Sequence, residues 1–327
     1  MGTDKGRSHT RMENILTNMI MKRTTEVLAV AGAALAMVTT SCVKVQIADR
    51  SAALIVASIE NTATRASGTS WDADDRIGIS TVPGTKTVYS NVPYKWDGSN
   101  FNADGETIYF QSAEDVTFNA YCPYNAAGGT LIATTDAAAQ KNLPAIDFLY
   151  ASGATAGMSS PAVQFTSDKA FRHRMSQITL TFEEGDGMEF TGKLNAYTLG
   201  GLVLKGGFDT EAGIARTQAG ETPADLSIAL ENVSVTNKKY SAAPLILFPQ
   251  DVAGGKIALK VQVDNVDYST ELILPDADGD GVKDTALKPG YNYTFSIRVS
   301  KTAIVISTAE ISPWDEVAGD AGEAVMQ

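Results

Sequence analysis

The chain has 327 residues, 44% of them hydrophobic and 20% charged, which is enough to bury the cores of two ordinary domains. Its formal charge of −12 repels nucleic-acid phosphates, and no basic patch with interleaved aromatics occurs along it, so nucleic-acid binding is set aside. Two cysteines, Cys42 and Cys122, provide no disulfide framework.

Residues 1–20 are polar, carry Met12 and Met19, and read as a start placed too far upstream. Residues 21–41 read as a secretory leader: Lys22 and Arg23 form a basic start, Val27 to Val38 an apolar stretch, and Thr39, Thr40 and Ser41 a small-residue run before Cys42. The apolar stretch falls short of the roughly 20 residues that a membrane-spanning helix needs. A small-residue run ending at cysteine resembles a bacterial lipobox, whose cysteine is lipidated and becomes the first mature residue; the alternative is an ordinary signal with an incidental cysteine. Removal of 1–41 leaves 21 basic against 35 acidic side chains, a formal −14.

Residues 42–65 read as a tether and a first strand, with Leu54, Ile55, Val56 and Ile59 as an apolar run followed by polar residues and Arg65. Beyond it, period-two alternation dominates. It covers Arg76 to Thr81, Val116 to Tyr121, Gln177 to Phe182, Lys256 to Val263 and Tyr291 to Val299. Turn pairs such as Asp97-Gly98, Gly128-Gly129, Gly206-Gly207 and Pro289-Gly290 punctuate these runs. The chain is therefore all-β, and without helical crossovers it suits antiparallel sandwiches. One short helix is expected at Asp136 to Lys141. The small, polar stretch between Tyr150 and Phe171 divides the mature chain into β-sandwich domains at 66–165 and 166–318, before an acidic tail at 319–327.

Asp276, Asp278 and Asp280 alternate ahead of Gly281, with Val282 and Asp284 following, a spacing that lets a loop wrap carboxylates and the Val282 carbonyl around Ca²⁺. Position twelve of an EF-hand loop would be Leu287 instead of glutamate, so an EF-hand is rejected. A lone structural calcium loop and a solvated acidic hairpin turn, between Glu271 to Leu274 and Tyr291 to Ser296, both remain. No cofactor is required by either. Asp284-Thr285-Ala286 also resembles a short O-glycosylation signal.

Catalytic sets are not legible. His173 is the one histidine after the leader and has no GxSxG elbow to serve, so packing or a hydrogen bond within the second domain is expected of it. The glycine pairs Gly200-Gly201 and Gly206-Gly207 lack a helix start and read as turns or bulges. Adjacent carboxylates such as Glu183-Glu184 and Asp74-Asp75 point to opposite faces of a strand. Trp71, Trp96 and Trp314 read as core residues or, alternatively, a sugar platform. Cys122 reads as a buried thiol.

The series TRASGTSWDADDRIGIS, YKWDGSNF, TIYF, VTFNAYCPY, FRHRMSQITLTF, LKPGYNYTFSIRV and AEISPW resembles the fimbrillin-like family of Bacteroides-type bacteria across the whole mature chain. The resemblance implies two tandem transthyretin-like antiparallel β-sandwich domains and a pilus subunit, not an enzyme. It implies an outer-membrane lipoprotein precursor anchored through Cys42, then an extracellular pilus that serves adhesion. An arginine-specific surface protease would cut after an arginine near the N-terminus, the first strand would leave, and a strand from another pilin subunit would replace it. Here that cut falls between Arg65 and Ala66, and the departing edge strand is Leu54, Ile55, Val56 and Ile59, whose loss opens an apolar groove for β-augmentation. Arg50 is the rival site, although cutting there leaves the strand in place. The donor would come from the C-terminal region, where Ala303 to Ile306 and Ile311 are candidates; the acidic stretch after Trp314 makes a poor strand, which suits a tip or accessory subunit. A surface lipoprotein that binds glycans without polymerising is the alternative, and a hydrolase using the acidic loop a remote third.

Overall fold

The computed structural model describes residues 51–60, 71–276 and 281–314. The first half contributes β1 (Leu54–Ala57), β2 (Arg76–Thr81), β3 (Val92–Trp96), β4 (Phe101–Ala103), β5 (Val116–Cys122), β6 (Thr130–Thr134), β7 (Leu149–Ala156), β8 (Ala162–Phe165) and β9 (Arg172–His173). The second contributes β10 (Ser176–Glu184), β11 (Leu194–Leu202), β12 (Lys205–Asp209), β13 (Ile214–Thr217), β14 (Ala224–Ala229), β15 (Lys239–Ser241), β16 (Leu245–Leu247), β17 (Gln250–Asp251), β18 (Lys256–Val263), β19 (Val266–Ile273), β20 (Ala286–Leu287), β21 (Tyr291–Ser300) and β22 (Ala303–Pro313). The alternating runs predicted at Arg76–Thr81 and Lys256–Val263 coincide with β2 and β18. The predicted helix at 136–141 shrinks to a 3-10 turn, Ala139–Lys141. Six residues are too few to nucleate an α-helix, and Pro144 already belongs to a second 3-10 turn, Leu143–Ala145.

In the first half one hydrogen-bonded sheet runs β8-β1-β4-β3-β2-β5-β7-β9. It curls back on itself, since β7 and β8 stand near opposite ends of that order yet are joined by a turn closed at Gly157 and Ser160. Inside lie Ile77, Ile79, Phe110, Phe118, Val163, Phe165 and Phe171, all fully buried, with Cys122 among them. Phe171 belongs to this core and β9 pairs with β7, so the first half extends past residue 165 and the chain leaves it between His173 and Ser176.

The second half packs the sheet β15-β10-β21-β22 against β14-β11-β18-β19. Ile178, Leu180 and Phe182 from β10 and Tyr293, Phe295, Ile297 and Val299 from β21 meet Ile257, Leu259 and Val261 from β18. Strand β11 keeps Leu194, Tyr197, Leu199 and Leu202 facing inward at spacings of three, two and three because bulges interrupt its register between Leu194 and Ala196 and again between Leu199 and Leu202. Gly201, with φ +79°, sits in the second bulge.

Two sequence expectations change here. The sheets are mixed: β1 runs parallel to β8, and β10 runs parallel to β21 over eight residue pairs. A parallel pair requires a crossover, and in the second half the opposing sheet supplies it where an α/β protein would use a helix. For the same reason the acidic loop is not a hairpin turn. Strand β19 before it and β21 after it lie in different sheets, and the chain crosses between them by way of β20, which pairs with β17.

Strand β6 of the first half pairs with β12 of the second, and β12 with β13. A third core of Tyr121, Phe148, Phe208, Phe248 and Trp314 fills this junction, with the Phe148 and Phe208 rings stacked at 4.8 Å. Gly206-Gly207 lies inside β12 and is no turn. A Cβ on Gly206 would strike the Arg216 carbonyl oxygen and the Phe248 ring, so the glycine permits close backbone approach.

Candidate assembly site

Residues 53 to 60 illustrate how alternation sorts a short apolar run. Ala53, Ile55 and Ile59 are buried, whereas Leu54 and Val56 are 58% and 48% exposed. Successive strand side chains point to opposite faces, so of the four residues predicted to fill a groove only Ile55 and Ile59 do so. Their burial is worth roughly 1.5 to 3 kcal/mol each. The strand is also not an edge. It pairs with β8 from Leu54↔Ala162 to Ala57↔Phe165 and with β4 at Ile55↔Phe101, so its removal would leave two open strand edges instead of one.

The flanks extend this grip. Ala53 N–H donates to Ile108 O and Leu54 N–H to Pro161 O, both at 2.9 Å; beyond the strand, Ser58 and Glu60 N–H donate to Phe165 O and Phe171 O, also at 2.9 Å. The Glu60 carboxylate takes both arms of the Arg172 guanidinium, at 2.6 and 2.8 Å. Across the ten residues that follow, the chain is held again at Trp71. Its Nε1 donates to the Ala57 carbonyl at 3.0 Å and its ring meets Phe101 and Phe171 edge-on at 5.0 and 5.1 Å. Arg65 and Ala66 fall between these two anchors, and they and Cys42 lie outside the described residues. Sequence reading missed Ala53, Glu60 and Arg172. The 53-55-57-59 spacing was a readable signal for the first; the ion pair spans 112 positions and left none.

At the other end, among the described residues β22 pairs with β21 alone, through a ladder running from Tyr291↔Pro313 to Ser300↔Ala303. Of the predicted donor residues, Ile304, Ile306 and Ile311 rest partly buried on the second core, while Ala303 is exposed and Val305 56% exposed. Trp314 closes the strand, fully buried and stacked on His173 at 4.1 Å and 7°. His173 Nδ1 lies 2.7 Å from Asp147 Oδ1. The histidine is thus a packing residue, but on β9 at the junction and not within the second domain as expected.

Of the acidic loop, Asp278 and Asp280 lie outside the described residues. Asp276 Oδ2 accepts the Gly281 N–H at 2.7 Å, Asp284 is paired with Lys288 at 2.7 Å, and the Val282 side chain is 66% exposed. Thr285 is exposed. The adjacent carboxylates considered for catalysis are engaged separately: Glu183 with Lys239, Glu184 with the Phe190 N–H, and Asp74 with Lys95, whose hydrogen bond and charge hold the Asp74 carboxyl below its usual range. Trp71 and Trp314 are buried and Trp96 leans on Phe101, so the tryptophans form no shared platform.

The class defined by this geometry is an all-β protein of two sheet-lined cores, the first completed by a short inner strand and joined to the second through a third core. Residues 64–314 match the model of the fimbrillin-like family, and the chain belongs to that family. The crystal structure of a candidate cell adhesion protein from Bacteroides ovatus superposes with a TM-score of 0.65 at 26% identity, over 83% of this chain and 99% of its own. A second, from Bacteroides uniformis, shares the fold with a TM-score of 0.61 at 21% identity, over 82% and 99%. Among curated proteins no sequence matches this chain.

Proposed function

We propose that this protein is a structural or accessory subunit of a cell-surface pilus that contributes to adhesion. In this reading it is exported as a lipoprotein on Cys42, cut by an arginine-specific protease between Arg65 and Ala66, and assembled when a strand of another subunit takes the place of β1. The observation that carries the reading is the way β1 is mounted: a four-residue strand between two neighbours, with Ile55 and Ile59 buried and the next firm anchor at Trp71, so that a single cut in 61–70 would separate it from the body. Release would expose the backbone groups of β8 and β4 together with an apolar slot, a template that an incoming strand satisfies by β-augmentation. The long ladder from β21 to β22 supports a subunit that accepts a strand without giving β22 away, as a tip or accessory subunit would.

Treatment of the lipid-free precursor with a trypsin-like protease tests this, with the new N-terminus and the oligomeric state read together. A start at Ala66 with loss of 54–59 from the folded body is expected. Heat-resistant ladders would mark a shaft subunit and a monomer that captures an added strand peptide an accessory one, whereas retention of an intact 54–59 strand after cleavage would overturn strand exchange. A structural Ca²⁺ at Asp276, Asp278, Asp280, the Val282 carbonyl and Asp284 would pin the crossover from β19 to β20; thermal melting with and without Ca²⁺ checks it, and no shift removes the ion from the scheme.

A further inference from the structure

Three loops meet at one end of the second sandwich. They are 185–193 between β10 and β11, the turn at Asp264 and Asn265 between β18 and β19, and the turn at Lys301 and Thr302 between β21 and β22. This is the end away from the junction, because β10 starts beside it at Ser176 and has run roughly 27 Å by Glu184. Main-chain bonds stitch the loops together. Gly185 N–H donates to Val299 O at 2.8 Å, Lys301 N–H to Asp186 O at 3.3 Å and Asp264 N–H to Lys193 O at 2.7 Å, while Asn265 N–H donates to the Asn195 side chain at 3.1 Å. Phe190 plugs the longest loop into the core, fully buried. Asp264 and Asn265 take the left-handed φ values of 54° and 61° that a tight two-residue hairpin turn requires.

The loops line an open cleft of about 460 Å³, within the size range of small-molecule sites. Its charges balance. Glu189 and Lys193 are paired at 2.6 Å, and Asp264 and Lys301 complete two carboxylates against two ammonium groups. Met188 and Tyr268, both partly buried against the core, supply its apolar surface together with Val263 and the exposed Val266. A phosphate or sulfate would need surplus cations, a metal ion surplus carboxylates, and a lipid chain a lining free of such charges. A neutral polyol ring needs the set present here: carboxylate acceptors and ammonium donors for its hydroxyls, and an aromatic side chain against its C–H face.

We propose that this cleft is a carbohydrate-binding site for neutral sugars, separate from the β1 site and independent of strand exchange. The test is retention of the lipid-free chain on immobilised neutral oligosaccharides ending in galactose, mannose, N-acetylglucosamine or fucose, with sialylated and sulfated sets alongside. Retention on at least one neutral set is expected, weakened about tenfold or more by Asp264→Asn and by Lys301→Ala. Both side chains are exposed, so melting temperature and protease-driven assembly should stay unchanged, which separates failure of this site from failure of the assembly scheme. Retention confined to charged glycans, retention that both variants leave intact, or none on any set overturns the proposal.

Discussion

Strands β1 and β21 are both flanked on two sides and both send alternate apolar side chains inward, yet they are held very differently. Strand β21 has ten residues, pairs with β10 over eight positions, and buries Tyr293, Phe295, Ile297 and Val299 completely. Strand β1 has four residues, meets β4 at one pair, and contributes Ile55 within its span. Length multiplies both ladder bonds and buried rows, so a short strand between two neighbours can be a replaceable part while a long one is the frame. The second region carries the longer ladders and more fully buried rows, and the first holds the strand whose exchange is proposed.

The largest test of this contrast is Phe182→Ala on β10, where Phe182 pairs beside Ile297 of β21. It should cost about 3–5 kcal/mol in denaturant unfolding, and by the same amount before and after protease treatment. Ile55→Ala should cost about 2–4 kcal/mol in the intact chain and nothing once β1 has gone; equal losses in both forms would break the contrast. Alkaline unfolding bears most heavily on the second core, while burial also raises Tyr94 in the first core and Tyr121 and Tyr150 at the junction. Burial raises the Tyr293 hydroxyl to about 12 and pushes Tyr197 up as well. Their neutral forms stabilise the fold fully below the ordinary tyrosine value of 10, and that contribution is lost as pH rises from 10 towards 12, about 2–3 kcal/mol for Tyr293. Ionisation of Tyr293 and Tyr197 followed against pH should therefore coincide with unfolding of the second half. The smallest effect belongs to Glu60 and Arg172: the pair is partly solvated, so a double-mutant cycle should give about 0.5–1 kcal/mol, again only while β1 is attached.

How much of this was legible depends on range. Strands β2 and β18 could be bounded to the residue because alternation is a local property, visible wherever one face is buried and the other wet. The apolar run at 54–59 was legible as a strand, but its two neighbours were not, since Leu54 pairs with Ala162 across 108 positions and Ile55 with Phe101 across 46. Gly206-Gly207 misled because a glycine that admits a neighbouring backbone is identical in sequence to one that makes a turn. The cleft was invisible for the same reason: Glu189, Asp264 and Lys301 are ordinary loop charges until two hairpin turns and one loop between the sheets converge.

The amino-acid order alone therefore determined the all-β class, the strands with clean alternation, and the position of Arg65 between an apolar strand and the Trp71 that follows. Tertiary structure decided that β1 is an inner strand, that β10 and β21 run parallel, that His173 stacks on Trp314 at a junction, and that separate charges share one cleft. The physical reason is that side-chain periodicity is fixed by backbone geometry within a few residues, whereas partners and register are chosen by whichever long-range packing buries the most surface.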